Sequence, residues 1–384
     1  MINRRSLLAA APALSLAAGL GAMPRPSLAA DAQDHIDLRK LLADQGVPGL
    51  GVAVVTSKGV SQIAVAGSRR ADRKDPIKTD DAWLIADNTM GLTAAVFGRL
   101  VEQGKTSWDA KVPDLFPGAR IDPAWNDVTA AALLSHRSGV DDRLVISTDW
   151  VLERHADERP ARLQRRDLAV QMLNEAPALN PGPFLLARAN YLLIGAAMER
   201  LTDTDFPAIL HDEAFDWWNA LSAGVGAPVG AAPLGHKKDE KGVFQPLEPG
   251  EFADYPAVMQ PATGVHISLG DYGRFIQLML ANGGGWLKPE TLARIGRPYD
   301  SKVSTYALGW RLTPDVAWAG GPVLGHDGSN GLWRSKVLIA PEKDLGLIAV
   351  CNADDEEACQ RTVELALKVL SPDKPPTFNE LNLG

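Results

Sequence analysis

The sequence predicts an α/β (α+β) fold: an antiparallel sheet built from both chain ends with flanking helices, plus an inserted, mostly helical domain. Strand patterns separated by tight turns occur near both ends of the chain, and helical patterns joined by Pro- and Gly-rich connectors lie between them. The 384 residues, 46% of them hydrophobic, suffice for one large core. We expect the sheet part to comprise residues 31–86 and 300–370, and the helical insert residues 87–299.

The N-terminal part of the expected sheet begins after a short helix. Residues 34–45 have the pattern of an amphipathic helix that ends near Gly46. The apolar run 49–56 predicts a buried strand, and a tight turn leads from it into residues 60–66 as the partner strand. One hairpin of the sheet therefore comes from this end.

The C-terminal end repeats this pattern. Residues 333–340 and 345–351 predict two strands joined by a turn at 341–344, and residues 356–370 predict a closing helix. Between the two ends, helices are predicted at the following residues: 92–103, 167–174, 191–201 and 270–280. The longest connector runs from about residue 223 to 264.

Residues 1–30 are expected to be a twin-arginine-type signal peptide rather than part of the fold. Arg4 and Arg5 precede an alanine- and leucine-rich run, and small residues before Asp31 offer a cleavage site. A Sec signal or a membrane anchor is the alternative. We expect export to the periplasm, with no membrane contact after signal removal, and we assign residues 371–384 to a tail.

Composition limits the classes of ligand. The formal net charge of -8 is spread along the chain, so no basic face for nucleic acid is expected. The seven histidines show no metal-ligand spacing and no Gly-rich phosphate loop precedes a helix, so we expect no metal and no cofactor. Cys351 and Cys359 could form one disulfide, but unlinked, half-buried thiols are favoured.

Seven short segments together resemble one family. They are residues 46–49 (GVPG), 133–140 (LLSHRSGV), 181–184 (PGPF), 190–195 (NYLLIG), 260–268 (QPATGVHIS), 325–331 (GHDGSNG) and 341–346 (PEKDLG). Their order is similar to that of the serine β-lactamase/penicillin-binding-protein family, in particular class C-like serine hydrolases including esterases and D-amino-acid peptidases. The resemblance covers about residues 34 to 369. It implies acyl transfer to a serine in a Ser-x-x-Lys motif, assisted by a Tyr-x-Asn motif and a Lys/His-x-Gly strand.

The first of these motifs is degenerate. Asp87 stands at the serine position and Met90 at the lysine position, and methionine has no proton to exchange. We favour a helix N-cap as the role of Asp87, because aspartate suits that position. The alternative is a carboxylate nucleophile, base or ligand-binding group in the cleft.

The second motif is also lost. Leu186, Ala187 and Arg188 replace Tyr-x-Asn, and none of the five tyrosines has asparagine two residues later. Arg188 could pair with Asp87, bind a substrate carboxylate, or face solvent. We predict an Asp87–Arg188 ion pair at the cleft floor, with Leu186 beside it.

The third motif survives as His326, Asp327 and Gly328. The resemblance places this segment on the strand that borders the cleft. His326 is expected to titrate near neutrality and could move protons. Gly328 would let a ligand approach the backbone, whose N–H groups can orient a carbonyl.

Other chemistry-bearing side chains have simpler interpretations. His136 and Ser138 are interpreted as structural, holding a loop by hydrogen bonds. The bottom of the cleft could be lined by Trp217, Trp218 and Trp333, although tryptophan more often packs in a core.

Two functions remain open from the sequence. The first is a pseudoenzyme that binds a carboxylate-bearing amide or ester, a small molecule or a peptide-like or cell-wall-like fragment, without acyl-enzyme turnover. The alternative is an active hydrolase that uses Asp87, Arg188 and His326. The sequence does not indicate the oligomeric state.

Overall fold

The computed structural model describes residues 36–143, 145, 147–248, 253–299, 302 and 304–372. The expected signal peptide and the tail beyond residue 372 lie outside the described residues. No helix in the described part of the chain is long and apolar enough to cross a membrane.

The strands follow the expected distribution along the chain. They are β1 Gly49–Thr56, β2 Gly59–Gly67, β3 Ala82–Leu84, β4 Gly224–Val225, β5 His236–Lys238, β6 Phe244–Pro246, β7 Val265–Ser268, β8 Arg311–Val316, β9 Gly321–Ser329, β10 Arg334–Ala340 and β11 Leu345–Cys351. Six of them form the main sheet, in the order β2-β1-β11-β10-β9-β8, and neighbouring strands in it pair antiparallel. This confirms a sheet built from both chain ends, since β1 pairs with β11.

Helices cover the region between the two groups of strands and close the chain. They are α1 Arg39–Gln45, α2 Thr89–Glu102, α3 Val112–Leu115, α4 Ala130–Leu134, α5 Thr148–Ala156, α6 Ala161–Leu173, α7 Ala189–Thr202, α8 Phe206–Leu210, α9 Asp216–Trp218, α10 Gln260–Thr263, α11 Leu269–Leu280, α12 Pro289–Ile295 and α13 Glu356–Leu370. One π-helical turn, His211–Phe215, joins α8 to α9. The mostly helical insert is thus confirmed.

Side chains alternate across the main sheet and build two cores. On β1, Leu50, Val52 and Val54 pack with α1 and α13, whereas Ala53 and Val55 pack on the side of α11. The sheet is therefore a middle layer between helices, as one buried face on each side requires.

A small second sheet connects the insert to the main sheet. β3 and β4 both pair with β7. Ile85, directly after β3, donates its N–H to the carbonyl of Val265 at 3.0 Å. This pairing aims the chain into a 3₁₀ turn, Ala86–Asn88, and then into α2.

Some boundaries differ from the sequence prediction. α1 begins at Arg39 rather than at residue 34, and α6 begins at Ala161, six residues before the predicted start. The long connector at 223–264 contains β4, β5 and β6, which are too short for a periodicity to detect. Cys351 and Cys359 are free thiols, as favoured, but both are fully buried rather than half-buried.

The loop around His136 and Ser138 is held by hydrogen bonds, which confirms its structural interpretation. The buried His136 accepts the N–H of Ala187 at Nδ1, 3.3 Å away, and Ser138 Oγ donates to Asn190 Oδ1 at 2.7 Å. The backbone carbonyl of His136 accepts the N–H of Leu185 at 2.8 Å. These bonds fix the segment that leads into α7.

The buried imidazole of His136 predicts a loss of stability in acid. Burial is the main cause that lowers the pKa of His136 from 6.5 to about 3, and the positive charge of Arg188 adds to it. In the unfolded chain the His136 imidazole binds a proton below about pH 6.5, whereas in the folded protein the same imidazole stays neutral. The free energy of unfolding therefore falls as the pH falls toward 3. From pH 6.5 to 5 this group should remove about 1.5 kcal/mol.

His136→Asn tests this, because asparagine tolerates the positive φ of 56° at this position. The unfolding free energy by urea, measured at pH 6.5 and 5, should fall less in the variant than in the wild type. Parallel pH profiles would contradict the assignment.

Candidate active site

A solvent-open cavity of about 230 Å³ lies where the turn before α2, the start of α7 and the edge of β9 meet. Its lining contains most of the residues singled out from the sequence. The lining residues are Asp87, Met90, Asp142, Leu186, Arg188, Tyr306, Arg311, Thr313, Gly325, His326, Asp327, Lys336 and Leu338.

The edge of β9 is open at the cavity. The pairing of β8 with β9 ends at Arg311 and Gly325, whereas β9 continues to Ser329 with β10 on its other side. An open strand edge offers backbone N–H and C=O groups to other partners. Here the N–H and carbonyl of Ser329 both contact side chains of the cavity.

Asp87 lies in the turn that joins β3 to α2. Its predecessor Ala86 has φ 47°, a strained value for a residue other than glycine. The turn is tied to β10, because Ser335 Oγ donates to the Ile85 carbonyl and accepts from Asn88 Nδ2, both at 2.7 Å. These contacts aim the side chain of Asp87 into the cavity.

The helix-cap interpretation of Asp87 is wrong. The N-cap of α2 is Asn88, and neither Asn88 nor the cap of the preceding turn makes a side-chain capping bond. The carboxylate of Asp87 instead accepts two bonds from Arg188, Nε to Oδ1 at 2.7 Å and Nη2 to Oδ2 at 2.8 Å. It also accepts the backbone N–H of Ser329 at 3.3 Å.

Arg188 is held on three sides, so the predicted ion pair is confirmed and the solvent-facing alternative is wrong. Besides Asp87, its Nη2 donates to the carbonyl of Ser329 at 3.3 Å, and its guanidinium lies 5.2 Å from the ring centre of Tyr255. Burial alone would lower the pKa of Arg188, but the adjacent carboxylate outweighs burial and raises it. The guanidinium is therefore charged.

A second carboxyl group borders the same pair. Asp142 Oδ1 accepts the N–H of Ala189 at 2.9 Å, which fixes it at the first residue of α7. Burial raises the pKa of Asp142, and the negative charge of Asp87 adds to this effect. Asp87 and Asp142 thus lie in different environments on the same cavity wall.

Met90 and Leu186 give the cavity its apolar surfaces. The side chain of Met90 is buried on α2, three residues after Asp87. Leu186 is 55% exposed, so it stands at the mouth. Neither residue can exchange a proton.

The surroundings of His326 shift its pKa below the near-neutral range expected from the sequence. Its Nε2 lies 2.9 Å from Tyr306 Oη and its Nδ1 lies 2.8 Å from the carbonyl of Asp327. Burial lowers the pKa of His326, although the carboxylates of Asp87 and Asp327 oppose the shift. The imidazole is therefore neutral at pH 7.

Gly328 has a packing role, and its expected role in ligand approach stays a prediction. A Cβ at this position would collide with the carbonyl of Ile85 and with Ser335 Oγ. The glycine thus lets β9 lie against the turn that carries Asp87. The carboxylate of its neighbour Asp327 binds Lys336 Nζ at 3.1 and 3.3 Å.

Sequence reasoning missed several lining residues. Lys336 lies in a predicted strand of apolar residues, and a lysine there signals a buried partner, here Asp327. Tyr306 and Arg311 come from a segment with no clear periodicity, so nothing local indicated them. Gly91 leaves room for the ring of Trp310, which holds that segment against α2.

The tryptophans suggested for the cleft floor lie elsewhere. Trp218 and Trp333 are buried in hydrophobic cores, Trp217 is half exposed, and none of the three lines the cavity.

Among the described residues, no group of three or more His, Cys, Asp or Glu side chains could hold a metal ion.

Comparison with known proteins supports the family resemblance. A family model described as Beta-lactamase matches residues 37–370. Penicillin-binding protein 4 of Amycolatopsis lactamdurans is 24% identical over 318 residues, which cover 78% of this chain and 80% of the relative.

Solved structures share the fold. The octameric penicillin-binding protein homologue from Pyrococcus abyssi superposes with a TM-score of 0.70 at 19% identity, over 88% of this chain and 76% of that chain. A D-stereospecific amidohydrolase from Streptomyces sp. superposes with a TM-score of 0.65 at 18% identity, over 86% of this chain and 96% of that chain.

A double-mutant cycle tests the energetic weight of the ion pair. Its side chains are only 24% and 15% exposed, so Asp87→Asn or Arg188→Gln should each destabilise the fold by about 2 kcal/mol, because each leaves a partly buried charge unpaired. The double variant should lose less than the sum of the two.

The exposed pair Arg159–Asp167 is the matched control, and its coupling energy should stay below about 1 kcal/mol. Urea unfolding of all variants at pH 7 measures both couplings. Equal coupling energies for the two pairs would show that the Asp87–Arg188 pair stabilises the fold no more than an exposed ion pair does.

Proposed function

Because the chain belongs to the β-lactamase family, we propose that it is an exported member that binds its ligand without forming an acyl-enzyme. The ligand is a carboxylate-bearing amide or ester, such as a peptide or cell-wall fragment. The observation that carries the proposal is the binding of the Asp87 carboxylate by Arg188 and Ser329, at the residue where the family resemblance puts the nucleophile.

The chemistry of the cavity supports binding without acylation. Acyl transfer to a hydroxyl needs an adjacent base that removes its proton. Two hydroxyls line the cavity: Tyr306, whose pKa burial raises and which contacts the neutral His326, and Thr313. The strand register separates the Cα atoms of Thr313 and Lys336 by roughly 17 Å, beyond the reach of a general base.

The backbone N–H group at the β9 edge also supports binding without acylation. A hydrolase of amides or esters directs N–H groups at the oxygen that becomes negatively charged in the transition state. The N–H of Ser329 is directed at Asp87, so a ligand carbonyl would have to displace a carboxylate to reach it. The N–H of Ser329 therefore stabilises the Asp87 carboxylate rather than the oxyanion that would form on a ligand carbonyl during acyl transfer.

The lining charges support an anionic ligand. The side chains of Arg188 and Lys336 are each paired with an aspartate, whereas the side chain of Arg311 has no hydrogen-bond or ion-pair partner among the described residues. An unpaired cation in a cavity stabilises a bound carboxylate.

The alternative of an active hydrolase that uses Asp87, Arg188 and His326 has less support. Asp87 would have to leave Arg188 before it could act as base or nucleophile, and His326 would have to leave Tyr306.

For localisation, we propose the periplasm after twin-arginine export, on the basis of Arg4 and Arg5.

Hydrolysis assays test the proposal. Purified protein should show no turnover of nitrocefin, D-amino-acid peptides or short-chain p-nitrophenyl esters above the buffer rate. Isothermal titration with non-hydrolysed N-acyl amino acids should detect binding. Turnover at enzymatic rates that disappears in Asp87→Ala, with the Tm nearly unchanged, would support the alternative instead.

Restoring the family residues is the positive control. Asp87→Ser with Met90→Lys and Leu186→Tyr returns the nucleophile, base and phenol to a cavity that retains the fold. Turnover on any compound of the panel would identify the bond the cavity accommodates. A folded triple variant that binds none of the compounds would argue against this ligand class.

A further inference from the structure

Outside the cavity, Arg137 is a buried cation without an acidic partner. The residue is only 6% exposed, and its Nε and Nη1 atoms are buried without a hydrogen bond. Its guanidinium makes no hydrogen bond or ion pair with any described residue. An arginine side chain stays charged in proteins, and a desolvated charge that lacks a partner destabilises the fold. The surroundings of Arg137 therefore lack the anion that its burial calls for.

The missing acid distinguishes Arg137 from comparable arginines. The other arginines with a buried, unbonded nitrogen each lie within ion-pair distance of an acidic side chain; they are Arg99, Arg154 and Arg334. The backbone of Arg137 is also fixed, because its N–H donates to the carbonyl of Ala132 at 2.8 Å and its carbonyl accepts the N–H of Gly182 at 2.9 Å. The loop, rather than an acid, holds this side chain in place.

Tyr299 covers one face of the Arg137 guanidinium. The ring centre lies 5.1 Å from Cζ of the arginine, and the tyrosine is 46% exposed. A stacked ring stabilises the face of a guanidinium but leaves its N–H groups, which point outward in the plane, without an acceptor. Only Nε and Nη1 are closed off from solvent, so Nη2 gives access to the group. Because Nη2 shares one edge with Nε and the other with Nη1, an oxyanion that reaches it can accept two parallel bonds.

Two further arginines lie near the same tyrosine. Arg294, in the last turn of α12, is half-buried and donates from Nη1 to the carbonyl of the exposed Arg297 at 3.3 Å. Burial, and next the charge of Arg297, lower the pKa of Arg294. Asp109 and Tyr299 oppose that shift, so both lie within electrostatic range of Arg294. Neither Arg294 nor Arg297 forms an ion pair with a described residue, so positive charge is in excess here.

We propose that Arg137, Arg294, Arg297 and Tyr299 form a binding site for a phosphate group, called the Arg137 site below, which is independent of the proposed function. None of the four residues lines the cavity. A phosphate carries between one and two negative charges at pH 7 and several acceptor oxygens, so it can bind more than one guanidinium, whereas a carboxylate carries a single charge. The group is either the free ion or the end of a small phosphomonoester.

Thermal unfolding tests the Arg137 site on the whole protein. Potassium phosphate, added at constant ionic strength against potassium chloride, should raise the Tm of the wild type, because a ligand that binds only the folded state stabilises it. Arg137→Met should abolish this rise, and its Tm without phosphate should be no lower than that of the wild type, since the variant removes an unpaired charge. Arg39→Met, at an exposed arginine of α1, is the control and should keep the rise.

Titration calorimetry identifies the source of the phosphate. Arg137→Met should weaken the binding of inorganic phosphate or of glycerol 3-phosphate about tenfold or more, as the loss of charge-assisted hydrogen bonds does. Binding of inorganic phosphate assigns the free ion, and binding of glycerol 3-phosphate alone assigns an ester. If Arg137→Met does not fold, Arg294→Gln should still weaken binding severalfold. Wild-type protein that binds neither compound, or that binds acetate as tightly, would overturn the proposal.

Anomalous diffraction locates the bound ion. Sodium selenate supplies a tetrahedral dianion that matches phosphate in shape, and soaked crystals should show a selenium peak within hydrogen-bond reach of Nη2 of Arg137. Crystals of Arg137→Met should lack this peak. A peak confined to the cavity, or a phosphate-dependent rise in Tm of equal size in Arg137→Met and the wild type, would contradict the Arg137 site.

Discussion

The ion pair between Asp87 and Arg188 joins parts of the chain that lie 101 residues apart. It links the turn after β3 to the start of α7, and through both backbone groups of Ser329 it links both to the main sheet. A carboxylate that accepts two charge-assisted bonds from an arginine has to break them before its oxygens can take a proton or attack a carbonyl. The chemistry of the cavity depends on that one constraint.

The scaffold around the ion pair is rigid for identifiable reasons. Ser335 ties the turn that carries Asp87 to β10, while the loop around His136 and Asn190 fixes the approach to α7. Each tether is buried and hydrogen-bonded, so both charged partners are held in place before any ligand arrives. The proposed loss of acylation is compatible with the retained fold, because fold and function can separate.

How far the sequence predicted this arrangement depended on the range of the interactions. The strands at both ends were predictable because their apolar runs are local, and aligned motifs brought Asp87 and Arg188 to one cleft. Local reasoning failed for the direction of Asp87, because capping propensity was outweighed by a distant arginine. It also failed for the surroundings of His326, which contacts Tyr306, a residue from a segment with no regular pattern.

Intact-mass spectrometry after prolonged incubation with a β-lactam and with an activated ester shows whether any residue of the cavity can be acylated. A carboxylate fixed by Arg188 in place of a nucleophile predicts that the protein keeps its unmodified mass with both reagents. An acyl adduct of stoichiometric amount, mapped by peptide sequencing to a residue lining the cavity, would contradict the account.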